Sequence, residues 1–261
     1  MRNLKRALSL GLTAAMISGL MVMGSSAAGS TYADVADTDN VEAIEVLKAV
    51  GIMVGDDQGN FNPDATVSRN EMAVVMSNLM AYNVATYRDT SPFTDVPEWA
   101  EPYVAACYTN GITAGYDATT YGGNDAVTTA QAALMVMKAL GYFQYQSDFG
   151  GDWQLSTVAQ GNRIDLFIDV DSAVKDPMTR NDLAQLVLNA LEAGTVEAEA
   201  GSSIIVGGVT ITNDVKYNYV TSGEDYADAI NTNLQTSIDQ SNTQGSIVQL
   251  GEKLYQGDLT K

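Results

Sequence analysis

Two stretches of this chain align without gaps at a spacing of sixty residues, and that periodicity limits the possible folds more than any single motif does. Gly51-Ile52-Met53-Val54-Gly55 recurs as Gly111-Ile112-Thr113-Ala114-Gly115. The same offset carries Val67-Ser68-Arg69-Asn70-Glu71-Met72-Ala73 onto Val127-Thr128-Thr129-Ala130-Gln131-Ala132-Ala133. A weaker third copy runs Gly161-Asn162-Arg163-Ile164-Asp165, then Met178-Thr179-Arg180-Asn181-Asp182-Leu183-Ala184. Three units therefore follow one another between about Tyr32 and Ala193. A unit of this size cannot bury two helices alone, whereas three packed together can, so the expectation is one closed bundle with pseudo-three-fold symmetry.

Each unit reads as helix, glycine-bounded loop, helix. Val41, Ile44, Leu47 and Val50 recur at helical spacing behind Asn40 as a cap, and Gly51 stands where a left-handed residue ends the run. Ser68 and Glu71 have capping-box spacing, followed by Met72, Val75, Met76 and Leu79 on one helical face. Thr128 with Gln131 repeats the box, and Thr179 with Asp182 approximates it with a shorter acid. In the intervening loop, Gly55 to Asp64 is dense in turn formers, with Phe61 available to pack.

Composition removes several chemistries. The 261 residues contain no histidine and one cysteine, so neither a Ser-His-Asp or Cys-His relay nor a His/Cys metal centre can be built, and Cys107 has no intramolecular disulfide partner. Cys107 lies in the apolar helical stretch Tyr103 to Cys107 and reads as a small buried hydrophobe. With 32 acidic against 13 basic side chains, the net charge of −19 repels nucleic acid. Hydrophobic residues make up 46% of the chain, enough for a core. No cofactor is implied.

Residues 1–28 read as a secretory signal peptide: a basic start, an apolar run of about 17 residues from Ala7 to Met23, and small residues at Ser25-Ser26-Ala27-Ala28. No stop-transfer charges and no second hydrophobic stretch follow, so no permanent membrane span is expected. Cleavage would remove Arg2, Lys5 and Arg6 without an acid, leaving a mature chain three charges more negative than −19.

Phe93-Thr94-Asp95-Val96, Trp99-Ala100, Tyr103-Val104 and Asn110-Gly111-Ile112 through Gly115 resemble the first half of an S-layer homology repeat. Gly59-Asn60-Phe61-Asn62-Pro63-Asp64 followed by Val67 to Ala73 resembles its second half, including the Thr-Arg-Ala-Glu-type signature. The resemblance implies a mostly helical, pseudo-trimeric anchor on the bacterial surface. It also implies binding of a secondary cell-wall polysaccharide attached to peptidoglycan, commonly pyruvylated, in grooves between repeats, and contact with other S-layer subunits. The expected organisation is mainly α: repeats at 32–82, 92–142 and a divergent 143–193, then a small α+β region at 195–261. The expected location is secreted, on the cell wall or in the S-layer.

A ketal-linked pyruvate presents a carboxylate, which an arginine fork matches bidentately. Arg69 and Arg180 occupy the signature position directly after the Ser68 and Thr179 caps, where a helix N-terminus also favours an anion. For both, ligand contact and a surface salt bridge stand as alternatives. Trp99 reads as a packing residue with a face open to stack on sugar, and Asp95 in the Phe-x-Asp opening joins the candidate ligand set. Gly55 and Gly115 are backbone requirements of the loop that also let a ligand approach. Glu71 is most economically a capping residue. Departures from the pattern are Thr129 in place of Arg69, Asp165 in place of Gly55 and Gly115, and no Phe-x-Asp opening in the third unit, for which Asp152-Trp153 stands in.

Beyond Thr195 the pattern changes. Ile204 to Val206 and Val209 to Thr212 flank Gly207-Gly208 as a hairpin, and Val215 to Val220 adds a strand. Glu224 to Ile238 carries a helical pattern, and Ser246 to Leu250 a further strand. Two rival functions are an acidic glycan-processing enzyme and a structural S-layer lattice subunit. Plentiful carboxylates are not two carboxyls held at a defined distance, and no stretch matches a calcium-binding EF-hand loop, so the chain is read as non-catalytic.

Overall fold

The computed structural model of the chain describes residues 31–36, 39–149, 151–201, 203–206, 209–212, 215–221, 233–235 and 247–255. The expected leader at 1–28 lies outside them. The described chain is helix-rich. Six helices come in pairs along the sequence: α1 (Val41–Ala49) and α2 (Arg69–Leu79), α3 (Glu101–Thr109) and α4 (Thr129–Ala139), α5 (Trp153–Arg163) and α6 (Arg180–Glu192).

Packing does not follow those pairs. α2 lies against α3, α4 against α5, and α6 against α1, so the second helix of each unit is covered by the first helix of the next, and the last returns to the first. Amphipathic faces that one unit cannot bury are thus buried by a neighbour. Ile44, Leu47, Met72, Met76, Val104, Val136, Leu183 and Val187 share one core.

The segments entering the second helices interlock. Val67 N–H donates to the Met178 carbonyl (2.9 Å), Met178 N–H to Val127 (2.8 Å), and Val127 N–H to Val67 (2.9 Å). That ring spans 112 residues of sequence and leaves none of its three donors orphaned in the interior.

The helix ends follow from local chemistry. Ser68–Glu71 and Thr128–Gln131 form complete capping boxes. Thr179 caps Asp182 N–H, but the shorter Asp182 carboxylate turns to the Ser172 N–H and hydroxyl instead of reaching back. Asn40 does not cap α1 with its side chain. Its amide donates to the Asp169 carbonyl and its N–H to Asn181 Oδ1, tying α1 to the start of α6.

Helix α1 ends at Gly51 (φ 74°) and α3 at Gly111 (φ 72°). The equivalent residue after α5 is Asp165 (φ 60°), because Ile52, Ile112 and Leu166 each donate to the carbonyl five residues back. This corrects the third alignment by four residues. Asp165 corresponds to Gly51 and Gly111, and Asp169 is the counterpart of Gly55 and Gly115. Gly161 sits inside α5, where an added Cβ would lie 2.4 Å from the Phe167 ring. In the same register Trp153 corresponds to Trp99, so Asp152-Trp153 is not a substitute Phe-x-Asp opening. Asp152 caps α5 through Gln154 and Leu155 N–H. The third loop is also shorter: fourteen residues separate Asp165 from Thr179, against seventeen from Gly51 to Ser68.

After α6, β1 (Val196–Glu199), β4 (Lys216–Thr221) and β5 (Asn233–Gln235) form an antiparallel sheet in the order β1-β4-β5, and β2 (Ser203–Val206) pairs with β3 (Val209–Thr212) in the expected hairpin register. Helix α7 (Leu250–Tyr255) packs on α6. The expected helix over 224–238 is contradicted at Asn233–Gln235, where pairing with β4 overrides the i, i+4 pattern; the rest of that segment lies outside the described residues. Ser246 to Leu250 provides only single bridges, at Ile247 and Gln249, before α7 begins. The sheet is fastened to the helices: Val196 N–H donates to the Leu140 carbonyl at 2.8 Å, and the Tyr142 and Tyr217 rings meet edge-on at 4.7 Å.

Candidate functional site

The signature arginines stand at the junctions between units, and each reaches into its neighbour's loop. Arg69 donates from Nε to the Tyr121 carbonyl (3.1 Å) and from Nη2 to Ala114 (2.7 Å), with its guanidinium 4.5 Å from the Tyr121 ring and 4.9 Å from that of Tyr116. Arg180 repeats this on the first unit: Nε to Phe61 (2.7 Å), Nη2 to Val54 (2.9 Å), and the guanidinium 4.7 Å above the Phe61 ring. Neither donates to a carboxylate among the described residues. The third junction has Thr129, whose hydroxyl lies 3.5 Å from the Asp176 carbonyl, and no guanidinium.

The carbonyls accepting from Nη2 immediately precede Gly115 and Gly55. A Cβ on Gly115 would fall 2.3 Å from the Phe93 ring and 2.7 Å from two loop carbonyls; one on Gly55 would fall 2.5 Å from both the Tyr32 ring and the Asn60 carbonyl. These glycines let an aromatic ring and the loop close on one point. Gly55 N–H donates to the Tyr32 hydroxyl (2.8 Å).

Asp95 shapes the same loop, accepting from Tyr121 N–H and Gly122 N–H at 2.8 Å each. Those backbone bonds, Tyr121 first, hold its carboxyl below the usual carboxylate range. Asp34 does the same for the first unit, accepting from Phe61 N–H (2.9 Å) and Asn62 N–H (2.6 Å). Asp34 is not among the residues singled out from the sequence. The available signal was Tyr32-Ala33-Asp34-Val35, which parallels Phe93-Thr94-Asp95-Val96.

The fold thus brings Arg69, Gly115 and Asp95 together at one junction, and Arg180, Gly55 and Asp34 at another. It does not bring Trp99 to Arg69. Helices α2 and α3 run antiparallel, with Ser77 Oγ against the Tyr103 carbonyl (3.3 Å) and Cys107 Sγ against that of Ala73 (3.4 Å), so Trp99 lies at the end of the pair opposite Arg69.

Helix N-termini contribute less than their sequence position suggests. Arg69 and Asn70 N–H donate to Asp125 and Gly123, Arg180 and Asn181 N–H to Ala65 and Pro63, and the third N–H of each helix goes to its cap. The donors that would meet an anion are spent on neighbouring loops. Arg69 is 7% exposed, whereas Arg180 is half-buried. Burial presses the Arg180 guanidinium below its ordinary pKa, and the carboxylates of Glu71, Asp56 and Asp34 oppose that shift. In each arginine Nη1 has no hydrogen-bond partner among the described residues.

Residues 31–73 and 92–133 each match the family model of the S-layer homology domain. The chain is 26% identical over 211 residues to a cell surface protein of Thermoanaerobacter kivui, covering 78% of this chain and 27% of that one. It is 33% identical over 114 residues to an S-layer protein of Bacillus anthracis, covering 42% and 14%. An amylopullulanase of Thermoanaerobacterium thermosulfurigenes is 26% identical over 62% of this chain and 10% of its own. The chain spans about a quarter or less of the length of these curated relatives. Two S-layer homology segments and surface-protein relatives support a role at the cell surface. No described helix is long and apolar enough to cross a membrane.

Proposed function

We propose that this chain is a non-catalytic, secreted wall-anchoring module in which three repeats, the third being 143–193, close into a pseudo-three-fold bundle. It binds a secondary cell-wall polysaccharide through the Arg69 and Arg180 junctions. The observation that carries the reading is the equivalence of those junctions: each holds a guanidinium over an aromatic ring, beside a glycine that cannot carry a side chain, with Nη1 making no hydrogen bond to a described residue. Two of the fork's donors preorganise it on backbone carbonyls, and the remaining edge takes a carboxylate of the glycan. Gly55 and Gly115 let the loop and an aromatic ring close beside the guanidinium, leaving no room there for a ligand, while Asp95 and its counterpart Asp34 hold the loops whose carbonyls accept from the arginine.

Arg180 is the more accessible of the two arginines, so it carries the larger share of binding. The third junction, with Thr129, contributes none. The cyclic packing of α1 to α6 supports the bundle reading, and 195–261 forms a small α+β region attached to it. A glycosidase-like relative does not favour catalysis, since the match covers a small part of that enzyme.

The test is co-sedimentation with purified walls, before and after chemical removal of the secondary polymer, using the wild type, Arg69→Lys and Arg180→Lys. Lysine keeps the charge and loses the fork. Pelleting that depends on the polymer and falls most in Arg180→Lys is expected. Equal pelleting under all conditions overturns the glycan reading.

A further inference from the structure

The two links between units stop their preceding helices on different residues. α2 runs into Ala81, whose φ of 51° lies in the left-handed region, and α4 runs into Gly141 at φ 101°, sixty residues on. Both close the same turn: Ala81 and Tyr82 N–H donate to the Asn78 and Ser77 carbonyls, Gly141 and Tyr142 N–H to those of Lys138 and Met137. Glycine holds this conformation freely, whereas alanine is strained in it and is the best helix former of all. The first unit thus ends its helix on the residue that most favours continuing it. Ala81 is exposed, so burial of its methyl group does not offset the strain.

The chain beyond the two stops differs as well. At Gly141 it is pinned to the sheet, with the adjacent Leu140 carbonyl accepting from Val196 N–H at 2.8 Å. Beyond Asn83 the first link lies on the second unit: the 3-10 turn Val84–Tyr87 packs on α3, and Glu101 accepts from Asp89 N–H (3.1 Å) and Ser91 N–H (3.0 Å). The short stretch from Ala81 to Asn83 therefore joins the first unit to a link that belongs to the second.

We propose that Ala81 is a hinge through which two copies of this chain exchange their first units. With Ala81 helical, α2 lengthens and swings its unit away from α3. That unit then docks on the second and third units of the other copy. Only a second copy carries all the complementary faces: α3 takes α2, α6 takes α1, and the Val67 strand re-enters the ring between Val127 and Met178. Every contact is one that the single chain already makes, so exchange needs no new surface and releases strain at two hinges. In the exchanged dimer both arginine junctions are built from two chains: Arg69 of the partner subunit reaches Ala114 and Tyr121, and Arg180 reaches the partner subunit's Val54 and Phe61. The proposal rests on helix packing and stands whether or not the junctions bind glycan.

In the experiment the protein is unfolded in urea, refolded at low and at high concentration, and sized by chromatography with light scattering. Monomer is expected at low concentration, and at high concentration a dimer that persists on dilution until urea is added, because exchange back requires the first unit to detach. Ala81→Gly removes the strain and should lower the dimer yield about tenfold, while Ala81→Val, a β-branched residue that tolerates the left-handed region least, should raise it. A covalent trap identifies the exchange. Ser77→Cys faces the native Cys107, whose sulfur lies 3.5 Å from Ser77 Oγ across the α2–α3 contact. Oxidised during refolding, this pair links two chains in the dimer fraction and closes within one chain in the monomer; where it stays reduced, persistence on dilution decides. No dimer at high concentration, a dimer that dissociates on dilution, a pair closed within single chains of the dimer, or a yield indifferent to both Ala81 variants each overturn the proposal.

Discussion

Arg180 donates its Nε to the backbone carbonyl of Phe61 at 2.7 Å, across 119 residues of sequence, and lays its guanidinium on the same residue's ring. This contact joins the last helical unit to the first and closes the packing cycle. Charge alone does not make it: two divergent donors must meet two carbonyls, Phe61 and Val54, at once. Arg180→Lys should therefore destabilise the fold by about 2 kcal/mol, the scale of lost hydrogen bonds to a charged group. Urea unfolding measures it, and Arg88→Lys, at an exposed side chain that makes no hydrogen bond to a described residue, should leave the midpoint unchanged.

The loop glycines separate crowding from backbone strain. Gly55→Ala places a methyl 2.5 Å from a backbone carbonyl and from the Tyr32 ring, so it should cost about 1–3 kcal/mol. Gly51→Ala meets nothing within 4 Å but must hold φ near 74°, for which about 1 kcal/mol is expected. Thermal unfolding of the two variants should rank Gly55→Ala as the less stable.

Burial pushes the Cys107 thiol up to about 11 from 9.0. The folded state disfavours the thiolate, so in that interval the unfolded chain has lost a proton that the native chain retains. Stability is unaffected below about pH 8 and falls as pH rises from about 9 to 11, by roughly 2–3 kcal/mol at the upper end. Cys107→Ala should flatten that limb of the stability–pH curve. The native thiol should also react with a thiol reagent at pH 8 only as fast as the protein opens.

Asn70 is 1% exposed, and neither of its side-chain amide atoms has a hydrogen-bond partner. The second unit carries Ala130 at this position. Asn70→Ala should therefore lack the usual cost of truncating a buried amide and should raise stability by about 1 kcal/mol, because an unsatisfied polar group is removed from the interior. A lowered unfolding midpoint would show that the amide has an unrecognised partner.

Much of the helical architecture was legible locally. Capping chemistry and i, i+3, i+4 spacing are short-range, so the starts of α2, α4 and α6 and the left-handed ends at Gly51 and Gly111 could be read from a few residues each. The shift at Asp165 was not legible, because an aspartate took the left-handed position that glycine marks elsewhere. Gly161, a packing glycine, imitated the missing signal. Strand β5 was hidden for a related reason: its backbone partner, β4, lies twelve or more residues away, and a helical pattern of side chains says nothing about that partner.

The sequence by itself determined that the chain is a repeat protein, that its second helices begin with built-in caps, and that arginines recur at one position of that design. Tertiary structure alone decided what those arginines do. Two donors of each, Nε and Nη2, and the N–H groups of the helices beside them are consumed by the neighbouring loop, because its backbone carbonyls need donors and the adjoining unit supplies them. What each arginine keeps free for a ligand depends on what the rest of the chain needs to satisfy in its own interior, and that accounting exists only once the units have closed on one another.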